Sequence, residues 1–227
     1  MGAIITHIPD GVMDPAVLMA GWVLALPAIG WAFWRLNKTI DERSVPLIAL
    51  LAAGLFVAQM LNFPVGGGVS GHLIGAALAV ILVGLPAGMV VMTTVLVIQA
   101  LLFGDGGITA LGLNLLNMAV IAPLVAYAIM AVFKGNKLAV PVSAWSAVFI
   151  SSVICGLQLG LSYSISGGAY GIEMAIALPA MAGWHAIIGI GEGVITGGVV
   201  LFLGKVAPET LRMSQVRTDK EVVEHGA

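Results

Sequence analysis

Long apolar runs separated by short polar stretches dominate this chain of 227 residues. A helix that crosses a membrane needs about 20 mostly apolar residues, and the pattern predicts seven such helices. The apolar run His72–Phe103 is too long for one span, and its GLPAG sequence (Gly84–Gly88) predicts a tight reversal between two short helices. The other five predicted helices are Pro15–Leu36, Val45–Leu61, Thr109–Phe133, Ser143–Tyr163 and Gly183–Lys205.

The composition agrees with a membrane protein. Hydrophobic residues make up 60% of the chain and charged residues 9%, whereas soluble domains carry about 25% charged residues. The chain has no basic cluster, which excludes nucleic acid as a partner. We therefore predict an all-α integral membrane protein with a polar N-terminal segment (1–14), a seven-helix membrane domain (15–205) and a polar tail (206–227).

The basic residues predict the orientation of these helices, because cytoplasmic loops are enriched in Lys and Arg. With seven spans, all nine basic residues fall on one side of the membrane. They are Arg35, Lys38, Arg43, Lys134, Lys137, Lys205, Arg212, Arg217 and Lys220. The predicted N-terminus is then outside and the C-terminus cytoplasmic.

Three of the four histidines fall on the predicted outer face: His7, His72 and His185, whereas His225 lies in the tail. Histidine is the commonest nitrogen ligand of metals, and clustered histidines suit Ni²⁺, Co²⁺, Cu²⁺ or Zn²⁺ better than Mg²⁺ or Ca²⁺. The alternative is that each histidine only forms hydrogen bonds within a loop at the membrane surface. The residues by themselves leave both interpretations open.

Acidic residues near these histidines also have two interpretations. Asp105, in the sequence GDGG, is expected to cap the fifth helix, with support of a metal site as the alternative. Glu192 lies two helical turns after His185 on the same helix face, where an acid in a membrane span suggests function. Its structural alternative is a hydrogen bond to a neighbouring helix, such as one that carries Gln99 or Asn114. Glycines that predict close helix packing recur at Gly189, Gly193 and Gly197.

The glycine-rich sequence GGGVSGH (Gly66–His72) does not predict a nucleotide site, because it follows no βαβ unit and lies on the predicted outer face. Its glycines instead allow close folding against other loops, which would hold His72 toward a shared pocket. The chain contains no Walker A motif and is therefore not expected to hydrolyse ATP itself.

Four segments of the chain resemble the CbiM/NikM family: HIPDGVMDP, NFPVGGGVSGHLIGAALA, MTTVLVIQALLFGDGGITALGLNLLNMA and GWHAIIGIGEGVIT. These proteins are the substrate-binding membrane subunits (S components) of energy-coupling-factor transporters for cobalt and nickel. The resemblance implies seven helices in a prokaryotic plasma (inner) membrane and no catalytic activity of the subunit itself. It also implies three kinds of partner: a transmembrane coupling subunit, cytoplasmic ATPase subunits and a small accessory membrane subunit.

The resemblance further implies a planar site of four nitrogens for Ni²⁺ or Co²⁺. Two are the imidazoles of His7 and His72, and two are the terminal amine and the amide nitrogen of the following residue. His185, Glu192, Asp10 and Asp105 are candidates for the surroundings of the site.

This chain departs from the family pattern because the residue in the terminal position, Thr6, follows five others. Removal of residues 1–5 would free its amine. A rearranged site would use another donor, such as the Thr6 amide or His185. An extension that comes from start-site assignment is the third explanation.

Two other classes of function compete with an S component. A stand-alone secondary transporter or channel would move ions without ATPase partners, and a structural or assembly subunit would bind no metal. Nickel and cobalt take nearly the same ligands, so the sequence predicts a site for either ion.

Overall fold

The computed structural model describes residues 7–61, 63–65, 69–134, 136, 138–208 and 210–211, which form a helical bundle with one β-hairpin. The helices are α1 (Pro15–Thr39), α2 (Val45–Gln59), α3 (Ala76–Val83), α4 (Leu85–Ile98), α5 (Leu111–Asn114), α6 (Ala122–Val132), α7 (Ala139–Ile165) and α8 (Met174–Val206). A π-helical turn, Gln99–Phe103, extends α4, and a second, Leu115–Ile121, joins α5 to α6. Antiparallel strands β1 (Phe63–Val65) and β2 (Val69–Gly71) form the hairpin.

The first helix begins where its sequence predicts. The Asp14 side chain accepts a hydrogen bond from the backbone N–H of Ala16 at 2.8 Å, and Pro15 occupies the first turn. Both features favour a helix start. One face of α1 is buried against the bundle through mostly small or branched residues, at Val17, Gly21, Ala25, Ile29, Ala32 and Leu36.

Glycines bring α1 against α5 at close range. A Cβ added at Gly21 would lie 2.7 Å from the Leu113 side chain, and one added at Gly112 would lie 2.6 Å from the Trp22 ring. Membrane helices commonly approach one another through small residues of this kind. The contact places the start of α5 beside the N-terminal part of the chain.

Glycines also bring α8 against α7. The spacing of Gly189, Gly193 and Gly197 predicts close helix packing, and the structure has it at the first two. A Cβ at Gly189 would lie 2.8 Å from the Trp145 ring, and one at Gly193 would lie 3.0 Å from the carbonyl oxygen of Pro141. No atom of the described residues lies within 4 Å of a Cβ added at Gly197, so close packing there, which the spacing predicts with this chain or with a partner subunit, stays a prediction.

Five helical segments of the described residues are long and apolar enough to cross a membrane: Pro15–Thr39, Leu85–Phe103, Leu111–Val132, Ala139–Ile165 and Met174–Val206. Helix α2 is apolar but has only 15 residues, and α3 has eight. An eight-residue helix rises about 12 Å, less than half of a hydrocarbon core of about 30 Å. The predicted count of seven spans and their orientation therefore stay predictions.

The predicted start of the third helix is wrong. Helix α3 begins at Ala76 and not at His72, because β2 ends at Gly71 and residues 72–75 have no regular secondary structure. Gly75 adopts a φ of +75°, which favours glycine. The reversal after α3 is confirmed, since Gly84, with a φ of +81°, separates α3 from α4.

The last helix also begins earlier than predicted. The apolar pattern predicts a helix that begins at Gly183, but α8 begins at Met174. Ala, Met and Leu between these two residues favour a helix, and Pro179 lies near the helix start without ending it. The connection between α7 and α8 is therefore short.

Candidate metal centre

The N-terminal segment, residues 7–14, is held within the bundle by three other parts of the chain. The Asn114 side chain pairs with the backbone of Ile8, accepting from its N–H at 2.9 Å and donating to its carbonyl at 3.1 Å. The N–H of Gly107 donates to the same carbonyl at 2.9 Å. Further along, the N–H of Asp14 donates to the Ser162 hydroxyl at 2.7 Å. These contacts fix His7 against the start of α5.

His7 and His72 lie side by side, and we call them the histidine pair. Their ring centroids are 5.1 Å apart with an angle of 44° between the planes. With metal–nitrogen bonds of about 2.1 Å, two imidazoles that share one ion have centroids roughly 4.5 to 6.5 Å apart. The separation of the pair is therefore compatible with a shared ion.

Each ring of the histidine pair has its Nδ1 atom beside an oxygen. Nδ1 of His7 lies 3.1 Å from Oδ1 of Asp105, and Nδ1 of His72 lies 2.8 Å from the carbonyl oxygen of Leu73. Histidines that bind metals usually donate the other ring N–H to a carboxylate or carbonyl in this way. Nε2 of His7 is then the candidate ligand atom, and it is buried with no hydrogen-bond partner among the described residues.

Asp105 lies in a loop that glycines bring close to His7. Gly104 and Gly106 have φ values of +65° and +97°, and a Cβ added at Gly106 would lie 2.9 Å from Cβ of His7. Burial is the largest single influence on Asp105 and opposes its ionisation, but the hydrogen bond from His7 and the electrostatic attraction of His7 and His72 together outweigh it and lower the pKa of Asp105 below its ordinary value of 3.8. The expectation that Asp105 caps the fifth helix is therefore wrong.

Asp10, rather than Asp105, caps α5. Its carboxylate accepts hydrogen bonds from the backbone N–H groups of Ile108, Thr109 and Ala110, at 3.0, 2.8 and 3.3 Å, just before α5. It also accepts from the Thr109 hydroxyl, and this bond is the largest cause of a pKa of Asp10 below 3.8. Asp10 thus ties the N-terminal segment to the loop that carries Asp105.

His185 lies near His72. The two histidines both line a cavity of about 50 Å³, together with Ile8, Asn114, Ser152 and Cys155. Nδ1 of His185 lies 2.8 Å from the carbonyl oxygen of Met181, one turn earlier in α8. His185 is therefore a lining residue of a pocket next to the histidine pair.

Glu192 contacts the segment that follows His72. Its Oε2 and Oε1 atoms accept hydrogen bonds from the backbone N–H groups of Ile74 and Gly75, at 2.8 and 2.6 Å. The predicted structural alternative, a hydrogen bond to a neighbouring helix, is therefore confirmed, but the helix is α3 and not one that carries Gln99 or Asn114.

The sequence alone does not identify two residues that support the candidate site. Asn114 holds Ile8, and Gln59 donates from Nε2 to the carbonyl of Ile74 at 2.7 Å. The only signal in the sequence is that each is an amide within an apolar helix, where it needs a partner.

Thr6, the remaining predicted contributor, lies outside the described residues. Among those described, no three His, Cys, Asp or Glu side chains are grouped to hold a metal ion.

Comparison with known proteins places this arrangement in context. The chain matches the CbiM family, described as the cobalt uptake substrate-specific transmembrane region, over residues 7–210. It is 38% identical over 207 residues to a putative fused nickel transport protein NikMN of Archaeoglobus fulgidus, covering 90% of this chain and 68% of that protein. It is 40% identical over 205 residues to a putative metal transport protein of Haloquadratum walsbyi, covering 89% of this chain and 92% of that protein.

A solved structure has a fold similar to that of this chain. The crystal structure of a truncated transition metal transporter superposes with a TM-score of 0.82 at 36% identity, covering 87% of this chain and 97% of that one. The apolar helices and these relatives together identify a multi-pass membrane protein. Because the family match extends over nearly the whole chain, the protein belongs to the CbiM family of cobalt uptake transmembrane proteins.

Proposed function

We propose that the chain is the metal-binding subunit, or S component, of an ATP-driven energy-coupling-factor importer for nickel or cobalt ions. One observation carries the proposal: two imidazoles with centroids 5.1 Å apart each have Nδ1 beside an oxygen. This orientation leaves Nε2 of both rings for an ion. The ion is the transported substrate and not a resident cofactor.

The proposed ligand set combines Nε2 of the histidine pair with the backbone nitrogen of Thr6. Imidazole and amide nitrogens in a planar array suit d⁸ Ni²⁺ and also accept Co²⁺. Ligand nitrogens must lose their protons to bind, so ion capture is expected to weaken as the pH falls. Asp105 supports the His7 ring, and Asp10 holds the loop of Asp105 in place.

The proposed partners are a transmembrane coupling subunit, cytoplasmic ATPase subunits and a small accessory membrane subunit. The names of the relatives support transport of nickel and cobalt: one is a putative fused nickel transport protein and others are cobalt transport proteins. ATP hydrolysis is assigned to separate subunits because this chain contains no Walker A motif. The proposed location is the prokaryotic plasma membrane, with the histidine pair facing outward.

Calorimetric titration of the purified chain with Ni²⁺ and with Co²⁺ tests the proposal directly. We expect one ion per chain, and loss of binding in His7→Ala and His72→Ala. His225→Ala is the matched control, because it removes a histidine of the polar tail. Unchanged binding in His72→Ala would refute the site.

The contribution of the terminus needs its own measurement. Mass spectrometry of the purified chain determines whether Thr6 is the first residue. If the Thr6 amine is a ligand, a chain cleaved to begin at Thr6 will bind the ion more tightly than one that retains residues 1–5. Equal affinities would favour a site without that amine.

Reconstitution in liposomes tests the energy source. We expect uptake of nickel or cobalt only when the coupling and ATPase subunits are present with ATP. Uptake by the chain alone would instead identify a stand-alone transporter or channel.

A further inference from the structure

The segment that carries His72 has an unusual environment for a stretch without regular structure. Residues 72–75 lie between the hairpin and α3, and His72, Ile74 and Gly75 are all buried. In a membrane protein, such backbone is tolerated only where protein groups satisfy its N–H and C=O groups. The question is which groups do so here.

Glu192 satisfies two of the N–H groups. Its two carboxylate oxygens accept from Ile74 and Gly75, the residues immediately before α3. Helix α3 has Gly75 at its N-cap position, with no side-chain cap of its own. Glu192, which is 3% exposed and belongs to α8, therefore caps α3 from another helix.

Gln59 satisfies a carbonyl group of the same segment. Its Nε2 donates to the carbonyl of Ile74 at 2.7 Å, and Gln59 is fully buried as the last residue of α2. Ile74 is thus held through its N–H by α8 and through its carbonyl by α2. Leu55, also of α2, packs against Gly75 so closely that a Cβ would overlap it.

We propose that Glu192 and Gln59 form a brace that positions His72 for ion capture, so that the relative placement of α2 and α8 sets the geometry of the metal site. The inference rests on the proposed function. Ile74 is two residues from His72, and the intervening carbonyl of Leu73 holds the His72 ring at Nδ1. A shift of the braced peptide therefore moves the carbonyl that orients the imidazole. Neither brace residue contacts the ion, so both are positioning residues.

The brace predicts a graded series of variants. Glu192→Gln keeps one acceptor oxygen for two N–H groups, Glu192→Ala keeps none, and Gln59→Met removes the donor at similar size. We expect Ni²⁺ affinity about 10- to 100-fold weaker in Glu192→Ala, with Glu192→Gln intermediate. Thr196→Val is the matched control, because Thr196 is a buried polar residue one turn further along α8.

Two further measurements separate positioning from a loss of folding. Hydrogen exchange without metal should be faster at the Ile74 and Gly75 amides of Glu192→Gln, by about tenfold or more, and unchanged in Thr196→Val. The visible spectrum of bound Ni²⁺ should change in Glu192→Gln and Gln59→Met, because the His72 ring is displaced from the plane. A variant that only unfolds would lose protection throughout the chain.

The outcomes distinguish the brace from the proposed function. If the unmodified chain binds Ni²⁺ through His72 and the brace variants show the same affinity and spectrum, the brace is refuted and the proposed function stands. If the unmodified chain binds neither ion, the proposed function fails, and the role of the brace in ion capture fails with it. Weaker binding, an altered spectrum and local loss of protection together would establish the brace.

Discussion

Asp105 holds the ring of His7, a proposed ligand, through a hydrogen bond. A carboxylate that accepts from Nδ1–H of His7 fixes the tautomer, orients the ring and makes Nε2 more basic. Asp105 is itself buried, with one carboxylate oxygen on His7 and the other without a partner. Asp105 caps no helix of the described residues, and its position next to His7, a candidate ligand, gives the carboxylate a role.

The Asp105→Asn substitution is expected to weaken binding of Ni²⁺ by about tenfold while the chain stays folded. The amide keeps an acceptor oxygen but loses the charge that favours a basic imidazole. Calorimetric titration measures the change, and Glu173→Gln, an exposed acid at the start of α8, controls for charge. Equal losses in both variants would contradict a specific role for Asp105.

Asp10 acts on stability rather than on the ion. We expect Asp10→Ala to lower the free energy of unfolding by about 0.5 to 2 kcal/mol, the usual cost of losing a helix cap. Thermal unfolding in detergent measures this, and Glu173→Ala is the control because the Glu173 side chain caps no helix. An unchanged unfolding temperature in Asp10→Ala would show that the cap is dispensable.

The contribution of Asp10 should also depend on pH with a defined sign. The folded chain lowers the pKa of Asp10 below its ordinary value of 3.8, so folding favours the ionised form. The stability difference between the unmodified chain and Asp10→Ala should be constant above about pH 5 and shrink as the pH falls below about 4. A difference that grew on acidification would contradict this linkage.

The residue types of the site could be predicted from the sequence, but their contacts could not. His7, His72, Asp10 and Asp105 are conspicuous because polar groups are scarce in so apolar a chain. Which acid caps α5 and which faces His7 depends on the dihedral angles at Gly104 and Gly106 and on contacts across about 100 residues of chain. Periodicity carries no information about such contacts.

At the scale of elements, the loop 104–110 can be tested through its glycines. Gly106→Ala places a Cβ at 2.9 Å from Cβ of His7, whereas Gly104→Ala meets no atom within 4 Å. Both glycines have positive φ, so each substitution is expected to cost about 1 to 2 kcal/mol of stability. Only Gly106→Ala should also weaken Ni²⁺ binding, and equal affinity in the two variants would contradict close packing of this loop on His7.

The long helices could be predicted because their apolar runs are unmistakable, and the errors occur where tertiary contacts replace local signals. Gly75 is a weak local signal for the start of α3 at Ala76, but the irregular segment before it is stabilised by Gln59 and Glu192 from distant helices, which a local pattern does not reveal. The hairpin before it was also missed, because strands of three residues leave little periodic pattern.

For the whole molecule, the predicted orientation is open to a direct test. Asn136 and Ala169 are exposed beyond opposite ends of α7, which is about 40 Å long. In a chain whose single cysteine is replaced by Cys155→Ser, a membrane-impermeant maleimide applied to intact cells should label Ala169→Cys and not Asn136→Cys. Labelling of Asn136→Cys alone would reverse the topology and place the histidine pair inside.

The hydrogen bonds that assemble the metal centre have a consequence for biogenesis. They join residues 98, 106 and 118 positions apart, between His7 and Asp105, Ile8 and Asn114, and Ile74 and Glu192. During synthesis the N-terminal segment emerges first, yet its partners follow only with α5 and the loop before it, and the carboxylate behind His72 comes with the last helix. The proposed ion capture is therefore expected to be a late property of the nascent chain, acquired only after the whole bundle has been inserted.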